Sequence, residues 1–570
     1  MDTRRLLLYG AFGLIAFMLW NQWRAEHPMK PPAPASTPAA ASVSAPGAAA
    51  PASAGSTGAS LIENHHPQAA TLPSLKAPAG PRIHIHTDVL DLSVALDGGE
   101  VTRAALLKYP SSLHSKQSVD LLTPGSKGQS ALMLRPELSG AELPSAPVFS
   151  ATASDYTLAP GAGTLRVPLS WSANGVTLIR TLVLKRGSYA VRIETRIENQ
   201  SKHTLDLTPG VTLIGANPPV AEHFWQHMLP KYYAFRGPAY FNADDGYEKT
   251  LVSKLAETPL DKQFAGGWIA GVRQYFVAVA IPPAADQARY FGRAIDGGYV
   301  AGYRLAPVKV TAGASSDTAM QLFLGPKKQG LLKQIAPGLP RTVDYGHATI
   351  ICKPIFSVLS FIHGILGNWG WSIIILVLLI KALFYYPQRM SARSMAKMRK
   401  LQPRIKLLRE RYKDDRQKLS QATMDLYRQE GANPVSGCLP MLIQFPIFIG
   451  LFYVLIYSVE LRQAPWILWI HDLSQPDPLF ILPIVYAVLS FVQFRLQPQA
   501  MEGAQAKMMM VMPLLFAFFY SIFPAGLVLY YSLSTGLNIA IQYRVNHELG
   551  MKGLGILPKI DWPWKKNDKG

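Results

Sequence analysis

The chemistry this sequence could do begins at one lysine. Lys381 lies inside GNWGWSIIILVLLIKALFYYPQR, residues 367–389. A charge at bilayer depth costs about 3 kcal/mol on insertion scales. Pro387 follows six residues later, so a lysine stem snorkelling to the interface is one plain reading. Two patterns weigh against it. The other long apolar runs of the second half hold no Asp or Glu, so no acid inside them can pair with the ammonium. A polar stripe also runs through the last apolar segment: Tyr531, Ser534, Thr535, Asn538 and Gln542, at steps of three, one, three and four. On a helix these share one face. Gln444, between Pro440 and Pro446, adds another amide. Groups of this kind avoid lipid and face inward. They make either ordinary interhelical hydrogen bonds or a wet cavity holding one cation and no acid. Such a cavity would shorten the apolar path of a polypeptide entering the bilayer, and its charge would attract acidic residues on the incoming segment.

The elements that must position these groups follow from hydropathy and charge. The formal charge of +20 implies anionic partners such as phospholipid head groups or nucleic acid. Residues 1–27 place Arg4 and Arg5 before an apolar stretch without a small-x-small cleavage site, as in an uncleaved signal anchor. Residues 28–81 are dominated by Pro, Ala and Ser and read as a flexible tether. Residues 82–345 alternate with period two. In the stretch TLRVPLSWSANGVTLIRTLVLKRGSYAVRIETRIENQ, Leu165, Val167, Leu169 and Trp171 face one way, and Asn174-Gly175 forms the turn. The expectation is one large β-sandwich outside the cytoplasm. Residues 346–361 read as an interfacial amphipathic helix, and 362–386 as the second span.

Residues 387–434 read as a cytoplasmic helical hairpin, with Met398, Leu401, Ile405, Leu408 and Tyr412 on one seam and Leu419, Ala422 and Leu426 on the other. Its basic residues, among them Arg393, Lys397, Arg399, Lys400, Arg404 and Lys406, are either a solvated face or a docking arm for an anionic partner such as the ribosome. Residues 435–543 hold four further spans, Val435–Ser458, Leu479–Phe494, Met508–Phe523 and Gly526–Tyr543, and 544–570 form a basic tail. Thirteen Lys/Arg lie in Gln388–Ala432, one in Val459–Pro478 and six after Tyr543. Six spans with both termini in the cytoplasm satisfy that distribution. The expected fold is therefore a polytopic α-helical membrane protein with a five-helix core bundle, a large extracytoplasmic β-sandwich and a cytoplasmic hairpin.

Other chemistry finds little support. His65, His66, His84 and His86 come in pairs without a third ligand at metal-site spacing. Cys352 and Cys438 fall near opposite membrane faces, so no disulfide is expected. There is no P-loop, HExxH or GxSxG, and Ser532 and Ser534 have no histidine or acid within their span. A transporter would call for an internal repeat or an acid–base relay, and neither is visible. A structural envelope factor, with the helices as a mere anchor, would leave the polar stripe dispensable.

Several longer stretches are together distinctive: GNWGWSIII, SMAKMRKLQPRI, NPVSGCLPMLIQFPIF, SVELRQAPWILWIHDLS and FPAGLVLYY, with LVLKRGSYAV, FRGPAYF, GGWIAG and TVDYG in the outer domain. In these the chain closely resembles, over essentially its whole length, the YidC family of bacterial inner-membrane protein insertases. The resemblance implies a periplasmic β-supersandwich and a five-helix core around a hydrophilic groove, open to cytoplasm and lipid and closed to the periplasm. It implies a basic residue in the second span as the central position, here Lys381 where the family's familiar residue is arginine. Lysine keeps the charge but lacks the planar fork. It further implies that Tyr530 and Tyr531 contact substrate, and that the hairpin Ser391–Glu430 and the basic tail serve insertion and ribosome binding. The expected partners are nascent membrane proteins, the ribosome, the Sec translocon and anionic phospholipids, not DNA. No cofactor or enzymatic activity is implied, and a monomeric core suffices.

Overall fold

The computed structural model describes residues 80–550 except 124–131, 141–142, 145, 219–233, 414, 434–438, 497–514 and 516–517. The anchor, most of the tether, most of Met508–Phe523, Cys438 and the tail beyond residue 550 lie outside the described residues.

Two β-sheets, one of 11 strands and one of 9, build the first half. Local sequence accounts for the meander at the heart of the smaller sheet. Strand Thr164–Ala173 turns through Asn174 and Gly175, both at positive φ, into Val176–Lys185. Ala173 pairs with Val176, the two-residue register that an Asn-Gly turn gives. Val167 and Leu169 are buried while Leu165 and Trp171 are half-buried, so one face looks into the core. The third strand, Ala190–Asn199, pairs antiparallel with Ser315–Pro326. That last strand, central in its sheet, delivers the chain to the helices. The core it leaves behind is aromatic as well as aliphatic: Trp268, Tyr290, Tyr303 and Phe323 are fully buried. Trp268 Nε1 donates to Pro337 O at 2.9 Å, which satisfies the buried indole and ties the sheet to its exit.

Ten α-helices are used below. Two are short helices of the β domain, α1 (Val252–Glu257) and α2 (Gln329–Ile335). The others are α3 (Thr349–Leu366), α4 (Trp369–Leu383), α5 (Tyr385–Lys400), α6 (Gln402–Arg411), α7 (Arg416–Gln429), α8 (Leu439–Tyr457), α9 (Ile481–Leu496) and α10 (Ala525–Glu548). Among the described residues α3 alone is, as a single helix, long and apolar enough to cross a membrane. Helices α4 and α5 meet that standard only together, across a 68° bend, and α8 and α9 hold shorter apolar stretches.

The helix boundaries differ from the expected ones at three places, each with a local cause. The sequence predicts a break between 361 and 362, but α3 runs on to Leu366. The break comes at Gly367, whose φ of 67° closes α3 in a left-handed cap, with Gly367 N donating to His363 O. Asn368 then caps α4 by accepting from Trp371 N at 3.1 Å. The second apolar run ends at Leu383, not Tyr386, because α5 turns away through 68°. The last helix continues to Glu548, five residues past Tyr543, since Val545 and Asn546 find burial against α5.

Met398 of α5, Leu401 at the α5–α6 junction and Ile405 of α6 pack with Leu426 of α7. Asp415 caps α7 by accepting from Lys418 N. The β domain packs against the loop between α8 and α9. Arg462 Nη2 donates to Pro110 O at 2.7 Å and Ser111 O at 3.1 Å. Gln274 Nε2 donates to Ile456 O at 3.2 Å, and Tyr345 OH meets Ser458 Oγ at 3.2 Å. One continuous apolar cluster runs from the sheets into α3, α4, α8 and α10.

Candidate functional site

Lys381 does not snorkel. It is 6% exposed, and its Nζ donates to Asn538 Oδ1 at 2.8 Å across α4 and α10. The partner of the ammonium is thus a neutral amide from the polar stripe, which leaves the local charge at plus one. The two residues line a cavity of ≈ 330 Å³. Gln444, Tyr531, Ser534, Thr535 and Gln542 line it too. So seven of the eight groove residues singled out in the sequence converge on one space. The eighth, Tyr530, is buried behind it and is joined to it by Gln444 Nε2, which donates to Tyr530 OH at 2.6 Å.

The ends of this cavity differ. Helix α10 begins against the α8–α9 loop, where Ala525 N and Gly526 N donate to Gln475 O and Leu473 O. That is the side of the β domain. Toward that side Tyr531 joins an aromatic block, with ring centroids 5.1 Å from Tyr520 and 5.5 Å from Phe448, and Tyr486 lies 4.2 Å from Tyr520. At the other end α5 folds under the cavity. Gln542 Nε2 donates to Ala392 O and to Asn546 Oδ1, pinning α5 to α10. Around the cavity, α4 and α9 expose Leu378, Leu379, Leu383, Ile484, Val485 and Val488, an apolar exterior fit for lipid.

Sequence reasoning missed Gln388, Tyr486 and Gln493, all of which line the cavity. Tyr486 and Gln493 are seven apart on α9, two turns on one face, so the periodicity that found the α10 stripe could have found them. Gln388 lies beyond Pro387 and reads as the start of the hairpin. Only the bend between α4 and α5 returns it to the cavity.

The basic hairpin residues are elsewhere. Arg404 pairs with Glu430 at 2.7 Å, Lys397 Nζ donates to Gly431 O at 3.3 Å, and Lys400 Nζ donates to Leu549 O. These three hold α5, α6 and their neighbours together. Arg393 and Lys406 are exposed and Arg399 is half-buried.

Comparison with known proteins decides the family. Residues 361–552 match the model of the 60Kd inner membrane protein, and residues 82–358 match that of the YidC periplasmic domain. The membrane protein insertase YidC of Methylococcus capsulatus is 39% identical over 554 residues, covering 96% of this chain and 99% of the relative. That of Thioalkalivibrio sulfidiphilus is 38% identical, covering 97% and 100%. This chain belongs to the YidC family. A crystal structure of an active YidC insertase with its first transmembrane domain resolved aligns at 19% identity and a TM-score of 0.37, over 83% of this chain and 94% of that one. The β-rich half, which the YidC periplasmic domain model matches, is the periplasmic domain of a YidC-family membrane protein. The one bond from Lys381 to Asn538 is monodentate and needs no guanidinium fork.

Proposed function

We propose that this protein is a membrane protein insertase and membrane chaperone, and that the Lys381 cavity is its working groove. The observation that carries the reading is the buried ammonium held by an amide instead of an acid. A carboxylate partner would neutralise the site, whereas Asn538 positions the charge and leaves it to act. An acidic residue on an incoming segment meets that charge in a polar cavity at membrane depth. The apolar part of the segment then leaves through the helix exterior into lipid. Hydrophobic partitioning supplies the drive, at roughly 25 cal/mol per Å² removed from water, so neither nucleotide nor catalytic group is required. Removing a nascent helix to lipid beside a polar refuge also serves its folding.

The reading includes six spans, both termini in the cytoplasm, and a five-helix core. The hairpin and basic tail meet the ribosome and anionic phospholipids. The core works as a monomer, alone or beside the Sec translocon. The test is complementation of a bacterium depleted of its own insertase, together with proteoliposomes holding only the purified full chain. Insertion of a small single-span protein without nucleotide is the expected result. Insertion no better than protein-free liposomes would sink the reading.

A further inference from the structure

Gln388 stands on the first turn of α5, immediately after Pro387, and lines the cavity. It is 8% exposed, yet its Oε1 has no hydrogen-bond partner among the described residues. A buried acceptor left unpaired is destabilising. An apolar side chain of similar length would avoid that cost. Three other polar residues of the lining make hydrogen bonds within the protein: Lys381 to Asn538, Gln444 to Tyr530, and Gln542 to Ala392 O and Asn546. Gln388 thus carries an unpartnered acceptor beside a space whose one cation is a donor; the oxygen is closed off from that space as placed and reaches it when the amide turns about its last side-chain bond.

Turned toward the cavity, such an acceptor can be satisfied by water. Whatever displaces that water must donate. The donor that every polypeptide segment carries, whatever its side chains, is the main-chain N–H, one for each residue except proline. The cation recognises an acidic side chain, which only some segments have. An acceptor facing main-chain N–H groups holds any extended segment.

We infer that Gln388 is a substrate-positioning residue, whose Oε1 accepts a hydrogen bond from the main chain of the polar segment lodged in the groove. The inference rests on the insertase reading and adds to it a contact indifferent to side-chain sequence. Lys381 and Gln388 then divide the task, one reading charge and the other gripping backbone.

The test uses the full chain in proteoliposomes and a single-span substrate made by cell-free translation. Single residues of its polar tail are replaced, one at a time, by the matching hydroxy acid, which turns one amide N–H into an ester oxygen. With the wild-type protein, one or two tail positions should lower insertion about three- to tenfold, in keeping with one lost hydrogen bond. Gln388→Met should insert the all-amide substrate less well by a similar factor and show no further loss with the ester. If Gln388→Met fails to accumulate, Gln388→Ser, too short to reach, should give the same ester-insensitivity. The inference is overturned if no ester position matters to wild type, or if the ester costs the variant as much as it costs wild type. Failure of wild type to insert even the all-amide substrate would instead count against the insertase reading.

Discussion

Asn538, 157 residues further along the chain, accepts a hydrogen bond from the Lys381 ammonium at 2.8 Å. The relationship is geometric and also electrostatic: an amide fixes the cation without cancelling it. Changing Asn538 to Asp would keep the shape and insert a negative charge. A charged pair in partly buried surroundings is stronger than a neutral contact. We expect Asn538→Asp to lower insertion of a substrate with an acidic tail roughly tenfold, equivalent to about 1.4 kcal/mol, and to spare one with a neutral tail. Equal loss for both substrates would show that Asn538 acts through packing alone.

Gly370 makes a second prediction, and two opposing effects must be weighed. It lies in the first turn of α4, where alanine would favour the helix by about 1 kcal/mol. However, a Cβ there would come within 2.2 Å of the Trp466 ring and 2.5 Å of its Cβ. Trp466 cannot simply swing aside, because Trp466 N donates to Ile470 O and Asn368 Nδ2 donates to Trp466 O. Overpacking costs about 1–3 kcal/mol, so the clash wins. Gly370→Ala should lower the melting temperature in detergent and expose the 458–478 loop to protease. Unchanged protection would mean the loop adapts freely.

Lys327 gives a pH dependence outside the membrane helices. It is buried at the end of the last strand, its Nζ donating to Thr342 O at 3.1 Å. Burial pushes its pKa down to about 7, against the pull of Asp344, while Lys249 adds repulsion. In the unfolded chain the group titrates near 10.4. Between about 7 and 10.4 the unfolded chain therefore binds the extra proton, and this group's contribution to stability rises with pH. Below about 7 the folded protein bears the full cost of a buried charge. Lys327→Met should raise the melting temperature at pH 6 by a few degrees and do less at pH 9. A gain that is the same at both values would contradict the assignment.

The contact between α5 and α10 separates exposed from buried interactions. Arg389 and Glu548 meet at 3.0 Å, but both are more than a third exposed. Such pairs contribute about 0–1 kcal/mol. Gln542 is buried and donates to Ala392 O at 3.2 Å and to Asn546 Oδ1 at 3.0 Å, and losing it strands the buried Asn546 oxygen at about 1–3 kcal/mol. Arg389→Ala should therefore leave the melting temperature nearly unchanged, while Gln542→Leu lowers it measurably. The reverse order would place the hold at the surface.

Much of this arrangement is readable in the residues, for identifiable reasons. The α10 stripe declares itself because five polar side chains recur at helical spacing in an otherwise apolar run. The Asn174-Gly175 turn is equally direct, since few residue pairs accept positive φ at both positions. Lys381 stands out as a charge among apolar neighbours, but its partner does not. Nothing in the local pattern says that Asn538, not water, meets the ammonium. The boundary at Gly367-Asn368 carries an ordinary cap signal, Gly then Asn, which continuous hydrophobicity across residues 362–383 obscures. Gln388 is hidden for a different reason: its place in the cavity depends on the bend between α4 and α5, a tertiary feature set by packing on α10.

The central claim is that positive charge at position 381 carries insertion. The direct measurement is insertion of a single-span protein with an acidic tail in insertase-depleted cells, complemented by wild type, Lys381→Arg, Lys381→Ala or Lys381→Glu. The account predicts that Arg supports insertion while Ala and Glu fail, with Glu the worse because it repels the acidic tail. If Ala and Glu insert this substrate as well as wild type, the charge is dispensable and the groove works through water and shape alone.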